Sequence, residues 1–445
     1  MSLVPTRRAA LLAAVAALGL LLAPRVAGAG GTEPNALAVA AAVTGIVVVL
    51  ALADGLAGTS PGRIVVQRRH PPVVVAGRPA EVSWEVRSDA RRALTVHVAD
   101  HLAPSLHAGS RRFRVRVPAR GVARVSTPIR PQRRGRFEID RVTVRIEGRL
   151  GLGARQRDVP LATVLRVHPA FRSAEEAELR IRRGRILEVG LRSARGRGGG
   201  TEFEQLREWG PDDEFRRIDW TATARRGKPI VRTYRAERNQ TVVLLLDNGR
   251  VMAGRVEGVP RVEHTIDAAM MLTAVATRLG DRCGLVAFDR EVRSVVPPAS
   301  HRAQFGRVTD AMHALEPVLA ESDYPGAFSQ VVARFRRRAL LVLLTDLAEQ
   351  AVADSLAPSL PLILRTHLVV VGAVRDPQVE RWARGSVDDD DEAFRRVAAV
   401  QALDARRRSA ARLRALGAIV VDAEPGRLAV ELADAYLAVK STGRL

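Results

Sequence analysis

The sequence predicts a multidomain chain: an N-terminal transmembrane helical hairpin, a β-sandwich-like region, and a C-terminal α/β doubly wound domain. Two uncharged apolar runs lie near the N-terminus, a middle stretch alternates apolar and polar residues with period two, and the C-terminal part alternates apolar strands with helical segments. The boundaries are 1–60 for two transmembrane helices (about 9–26 and 36–54), 61–170 for the sandwich-like domain, 171–240 for a linker with a dense charged segment, and 241–445 for the α/β domain.

The length of 445 residues accommodates this many domains. Hydrophobic residues make up 47% and aromatics 4%, so the cores are aliphatic. The single cysteine, Cys283, excludes an intramolecular disulfide framework and a zinc site of several cysteines. The bias toward Ala, Arg, Val and Gly is that of a high-GC bacterial genome, which by itself raises the arginine count.

Residues 9–24 are uncharged and follow Arg7 and Arg8; residues 36–53 form a second uncharged run, closed by Asp54. The second has the length of a membrane span and the first is close to it. The first also has the form of a cleaved signal peptide, with small residues at 27–29. Both readings give one topology. Arg7 and Arg8 precede the first run and Arg63, Arg68 and Arg69 follow the second, so the positive-inside rule places the later residues in the cytoplasm, beneath the inner membrane.

From residue 63 to about 168, segments such as 80–87, 112–117 and 141–146 alternate, and turn signals at 76–79, 118–121 and 133–135 separate them. Half-buried antiparallel strands fit this pattern, and an immunoglobulin-like sandwich is one architecture of that size. Outward positions are often Arg. Residues 61–240 carry 40 basic and 20 acidic side chains, nearly all of the net charge of +22. The excess is either a solvated strand face or a surface for anionic lipid or nucleic acid. The scarcity of aromatics weighs against nucleic acid. Residues 175–187 have a helical composition. Residues 192–200 read as a flexible basic loop, with no Gly-Lys-Ser or Gly-Lys-Thr to make it a phosphate loop.

Residues 201–237 hold the densest chemistry: Glu202, Phe203, Arg207, Glu208, Trp209, Asp212, Asp213, Arg216, Asp219, Trp220, Arg225 and Arg232. Arginine forks pair with carboxylates and stack on aromatic faces, so an ion-pair network holding a loop is one reading, and a solvated charged loop the other. With these residues in the runs 200–203, 206–209, 212–213, 216–220, 225 and 231–232, and with 131–137 and 167–169 upstream, the chain resembles the domain-of-unknown-function 58 family. It departs from the family at 148–152, where an Asp-Pro usually precedes the Gly-Leu. The resemblance implies two N-terminal membrane helices, a β-rich region and a von Willebrand factor A-like domain. It also implies a protein partner, a MoxR-type AAA+ ATPase.

In the C-terminal domain, 241–247, 283–288, 292–296, 339–344, 366–371 and 418–421 read as strands, with helices at 261–279, 394–416 and 428–439. Ligands of such sheets sit at the carboxyl ends of the strands, where Asp247 and Asp346 stand. The resemblance implies a metal-ion-dependent adhesion site there, built from Asp-x-Ser-x-Ser, a Thr and a later Asp. Gly249 and Val251 occupy the two serine positions, the Thr position falls at Ser322-Asp323, and Arg250 adds a positive charge. Mg²⁺ would find too few oxygen ligands, so no cofactor is expected. The two acids are then expected to cap the turns or helices that follow. The nine histidines are scattered, with no His-Glu-x-x-His or serine elbow. The expected function is a membrane-anchored, non-enzymatic scaffold or adaptor. The alternative is a lipid- or nucleic-acid-binding module centred on residues 61–240.

Overall fold

The computed structural model describes residues 2–26, 35–194, 202–211, 213, 215, 218–235 and 240–442. The chain divides into two compact units, Met1–His168 and Pro169–Leu445.

The first unit opens with strand β1 (Ser2–Pro5), followed by helices α1 (Arg7–Val26) and α2 (Asn35–Ala57). Among the described residues one stretch, Ala41–Arg63, is long and apolar enough to cross a membrane. It overlaps α2, whose Ile46, Val48, Val49 and Leu52 face outward. Asp54, in the last turns of α2, is buried. Its carboxylate accepts the backbone N–H groups of Leu150 and Leu152 at 2.9 Å and of Gly153 at 3.1 Å.

Eight strands follow: β2 (Ile64–Arg69), β3 (Val74–Val75), β4 (Ala80–Ser88), β5 (Leu94–Asp100), β6 (Arg112–Val117), β7 (Val122–Ile129), β8 (Gly135–Glu147) and β9 (Gly153–His168). They form two sandwich-like sheets, β1-β9-β8-β5-β6 with β3 alongside β9, and β2-β4-β7. The period-two pattern appears as alternating burial. Val82, Trp84 and Val86 of β4 enter the core with Val96 and Val98 of β5 and Val142, Val144 and Ile146 of β8. Each of the valine and isoleucine burials is worth about 1.5–3 kcal/mol. Two features depart from the sequence reading. Strand β1 was not foreseen; four residues are too few to show a period. Arg68, read as part of the positive flank, points inward: its side chain is sealed against Asp100.

The second unit begins with α3 (Ala174–Ala194). This helix takes in residues 192–194, which read as loop, because Leu, Arg, Ser and Ala sustain a helix where no Pro interrupts; residues 195–200 lie outside the described residues. Within 171–240, β10 (Glu202–Glu208) and β11 (Ile230–Arg235) then form an antiparallel hairpin, with α4 (Trp220–Arg226) in its connection.

The remaining residues form a six-stranded sheet. Its strands are β12 (Thr241–Asp247), β15 (Arg282–Phe288), β16 (Val292–Ala299), β17 (Leu340–Leu344), β18 (Leu368–Val374) and β19 (Ile419–Ala423), in spatial order β16-β15-β12-β17-β18-β19. All neighbours are parallel except the edge pair β15–β16. Between β12 and β15 run the turn α5 (Arg250–Ala253), the short pair β13 (Arg255–Val256) and β14 (Val259–Pro260), and α6 (Arg261–Arg278). Helices α7 (Gln304–Met312) and α8 (Tyr324–Arg334) precede β17. The turn α9 (Glu349–Ala351) and α10 (Ala357–Leu364) precede β18, α11 (Pro377–Arg384) and α12 (Asp390–Ala415) precede β19, and α13 (Leu428–Thr442) follows it. Helices cover both faces, which is why β12 is apolar throughout: Val242, Leu244 and Leu246 enter one core, Val243 and Leu245 the other.

Candidate functional site

The carboxyl end of the parallel sheet gathers the buried polar groups. Asp247 ends β12 and is fully buried. Four donors hold its carboxylate. Oδ1 accepts Ser322 Oγ at 2.5 Å and the Gly249 N–H at 2.8 Å; Oδ2 accepts Tyr324 Oη at 2.8 Å and Thr345 Oγ1 at 2.6 Å. Burial pushes the Asp247 pKa above the ordinary carboxylate value, against the pull of these bonds. Burial and the Asp247 charge push Tyr324 well above the phenol range, so Tyr324 stays a donor.

The neighbouring acid, Asp346, follows β17. Arg406 of α12 donates to it through Nη1 at 2.7 Å, and Arg261 Nε lies 3.7 Å from its other oxygen. Arg406 also donates Nε and Nη2 to Asp422 of β19, at 2.9 and 2.7 Å, and Nη2 to the Val374 carbonyl of β18 at 2.8 Å. Burial opposes its charge, but Asp346 and Asp422 outweigh burial and hold its pKa above the ordinary arginine value. One guanidinium therefore ties the ends of three adjacent strands. Beside it, Arg375, Glu380, Arg384, Val400, Leu403, Arg407 and Asp422 line a cavity of about 280 Å³.

This arrangement does not fit a divalent cation. All four donors to Asp247 are already pointed at it, and two arginines stand at Asp346. Gly249 approaches the site so closely that a Cβ there would lie 2.0 Å from Ser322 Oγ. The Ser322 hydroxyl thus fills the space that a serine side chain at 249 would enter. Among the described residues no group of three or more His, Cys, Asp or Glu is placed to hold a metal. The capping expectation is corrected for Asp346, which is an ion-pair acceptor. For Asp247 it accounts for only one of four bonds. Arg250 points to the exposed Glu321 at 3.0 Å, so the cations at the site are Arg406 and Arg261. Sequence reasoning missed Arg406, Arg261, Asp422 and Tyr324. Arg406 sits within three consecutive arginines of an arginine-rich chain, and nothing local marks it.

The charged segment forms a separate small constellation. Arg207 donates both Nη atoms to the Asp213 carboxylate, one at 2.6 Å, and Trp209 Nε1 donates to the Asp213 carbonyl at 3.3 Å. Glu208 pairs with Lys228 at 3.2 Å. Asp219 caps α4, accepting the N–H groups of Thr221 and Ala222 at 3.0 Å each. Trp220 is exposed and meets Phe215 edge-on, with ring centroids 5.8 Å apart. Arg225 is exposed in the last turn of α4. Glu202 and Phe203 lie in β10, and Arg232 in β11 opposite Leu206. Asp212 and Arg216 fall outside the described residues.

Among solved structures, the chain is similar to the CARDB domain of a Pyrococcus furiosus protein in complex with di-metal ions, at 11% identity over 23% of this chain and 86% of that one, TM-score 0.17. It is similar to a Porphyromonas gingivalis protein of unknown function at 16% identity over 25% and 50%, TM-score 0.20. Proximal thread matrix protein 1 of the mussel byssus, solved with a zinc-occupied MIDAS motif, is similar at 9% identity over 46% of each chain, TM-score 0.25. Scores of this size leave the fold to be read from the strand order above. No curated protein matches the chain. Residues 205–415, from the hairpin through Asp247, Ser322, Asp346 and Arg406 to the end of α12, match the model of the family described as Protein of unknown function DUF58.

Proposed function

We propose that this protein is a membrane-anchored scaffold or adaptor, and that its C-terminal unit is a von Willebrand factor A-like domain that docks a protein partner without a metal ion. The strand order, with one antiparallel edge in an otherwise parallel sheet, supports the A-like reading. The observation that carries the metal-free docking role is the saturation of the strand-end carboxylates by internal donors: Asp247 by hydroxyls and an N–H, Asp346 by Arg406. A fixed polar platform with a charged cavity beside it suits recognition by surface complementarity. The apolar α2 and the basic residues after it support an inner-membrane anchor with the soluble parts in the cytoplasm. The family resemblance names the partner, a MoxR-type AAA+ ATPase. The reading assigns the chain no catalytic role.

Affinity purification from crosslinked membranes, with and without nucleotide, tests it. Recovery of an AAA+ ATPase that is lost on substituting the exposed cavity arginines Arg384 and Arg407 supports the reading. Recovery of intact bait with no ATPase in any nucleotide state overturns it. Addition of Mg²⁺ or a chelator should leave recovery through the docking face unchanged once nucleotide is omitted.

A further inference from the structure

The foot of the helix hairpin combines an apolar groove with arginines that meet no carboxylate among the described residues. The groove, of about 220 Å³, is lined by Leu3, Val4 and Pro5 of β1, by Ala9, Ala10 and Ala13 of α1, and by Val47, Val48, Ala51 and Leu52 of α2. Its floor of small alanine side chains leaves the gap open. Four arginines reach residues just past the end of α2 or in the loop that Asp54 fastens. Arg8 lies against Gly151, within 3.1 Å of where a Cβ there would stand. Arg155 Nη1 donates to the Gly58 carbonyl at 3.3 Å, just past α2, and Arg92 Nη2 to Thr59 Oγ1 at 3.4 Å. Arg157 Nη1 lies 3.6 Å from the Cβ position of Gly62. No carboxylate among the described residues pairs with any of the four. Asp54, in the last turns of α2, is engaged by three backbone N–H groups. Leu150, 62% exposed, projects from the loop that Asp54 fastens.

Guanidinium groups without a carboxylate partner among the described residues, near an apolar slot, match one class of ligand: an anionic amphiphile with a phosphate head and an alkyl tail. We infer that the hairpin foot binds one anionic phospholipid, with part of an acyl chain in the groove between β1, α1 and α2 and its phosphate on Arg8 and Arg155, flanked by Arg92 and Arg157. This rests on the membrane-anchor reading. It adds to that reading a lipid held as a wedge between the hairpin and the sandwich. A helix of a second copy is the competing occupant, because small residues also favour helix packing in membranes.

The test uses the full chain extracted in mild detergent and reconstituted in nanodiscs of phosphatidylcholine, with or without phosphatidylglycerol, and native mass spectrometry to count retained lipids. Wild type should retain one phosphatidylglycerol in preference to phosphatidylcholine. Arg8→Gln and Arg155→Gln should each reduce that preference about fivefold. Ala10→Leu, which fills the groove from an exposed position, should reduce retention of both lipids while leaving the arginines in place. Equal retention of the two lipids, a preference unchanged in both glutamine variants, or a lipid-free dimer joined through the groove would overturn the proposal. Alkaline carbonate extraction separates this failure from failure of the anchor. A chain that stays in the membrane without lipid preference refutes the site alone; a chain that is extracted as soluble refutes the anchor with it.

Discussion

Arg68 in the sandwich and Arg406 in the α/β unit make the same kind of bond in different surroundings. Arg68 offers Nε and Nη2 to Asp100 at 2.8 and 2.7 Å, and its Nη1 to the carbonyls of Ile139 and Leu161 at 3.2 and 3.1 Å. Trp84 Nε1 donates to the same carboxylate. Both charged side chains are fully sealed, and the pair clamps β2 of one sheet to β5 of the other. Arg406 forks Asp422 and reaches Asp346 at the carboxyl edge of a parallel sheet, beside a cavity, with 14% of its side chain still exposed. A buried arginine–carboxylate pair therefore has no function by chemistry alone. Midway between two sheets it is a fastening; at the strand ends, where α/β sheets receive ligands, it borders the cavity that the proposed docking would use.

Breaking each pair separates the two cases. Arg68→Met leaves Asp100 sealed and unpaired and should cost about 3–5 kcal/mol of stability, seen as a lowered midpoint in thermal unfolding of the detergent-solubilised chain. Adding Asp100→Leu should recover most of that loss, since a packed apolar pair can replace a buried ionic one. Arg406→Met should cost less, about 3 kcal/mol at most, because water reaches the site. Its rescue by Asp346→Asn with Asp422→Asn should restore stability without restoring partner recovery. If partner recovery returns together with stability, Arg406 is a fastening like Arg68.

Next in size is the close approach at Gly249. Gly249→Ala should destabilise by about 1–3 kcal/mol through the clash with Ser322 Oγ. Ser322→Ala in the same chain should relieve part of it, giving a non-zero coupling in a double-mutant cycle. The pH response of Asp247 is smaller. Its folded pKa is raised, so its contribution is complete below the ordinary value of 3.8 and is lost as pH rises through the higher folded value. The stability of wild type relative to Asp247→Asn should accordingly decline as pH is raised through that window; a difference that grows with pH would reverse the assignment. Smallest is Arg250→Ala. Its partner Glu321 is exposed, so unfolding should shift by no more than about 0.5 kcal/mol.

The fold was legible where periodicity carries it. The alternation in β4 and the unbroken apolar run of β12 were plain, because a half-buried and a doubly buried strand leave different patterns. Asp247 and Asp346 stood out as acids closing apolar runs. What stayed hidden was long-range partnership. Tyr324 is 77 residues from Asp247 and Arg406 is 60 from Asp346, and neither separation leaves a local trace. The pairing inside the 171–240 segment stayed hidden for a related reason. Its hairpin strands, β10 and β11, carry polar residues on both faces, so no apolar stripe announces the pairing. Arg68 illustrates the reverse error: counted as a surface charge, it is inside because Asp100, 32 residues later, meets it there.

Strand β1 sets an order of events during synthesis. Ser2 pairs with Gln156 and Pro5 with Gly153, so residues 2–5 complete a sheet whose partner strand is made about 150 residues later. At roughly 5–20 residues per second the wait is on the order of ten to thirty seconds. In that interval α1 and α2 have already been made, and an unpaired edge is open to mispairing. The sheet can complete that border only by returning across both helices to a strand made before them.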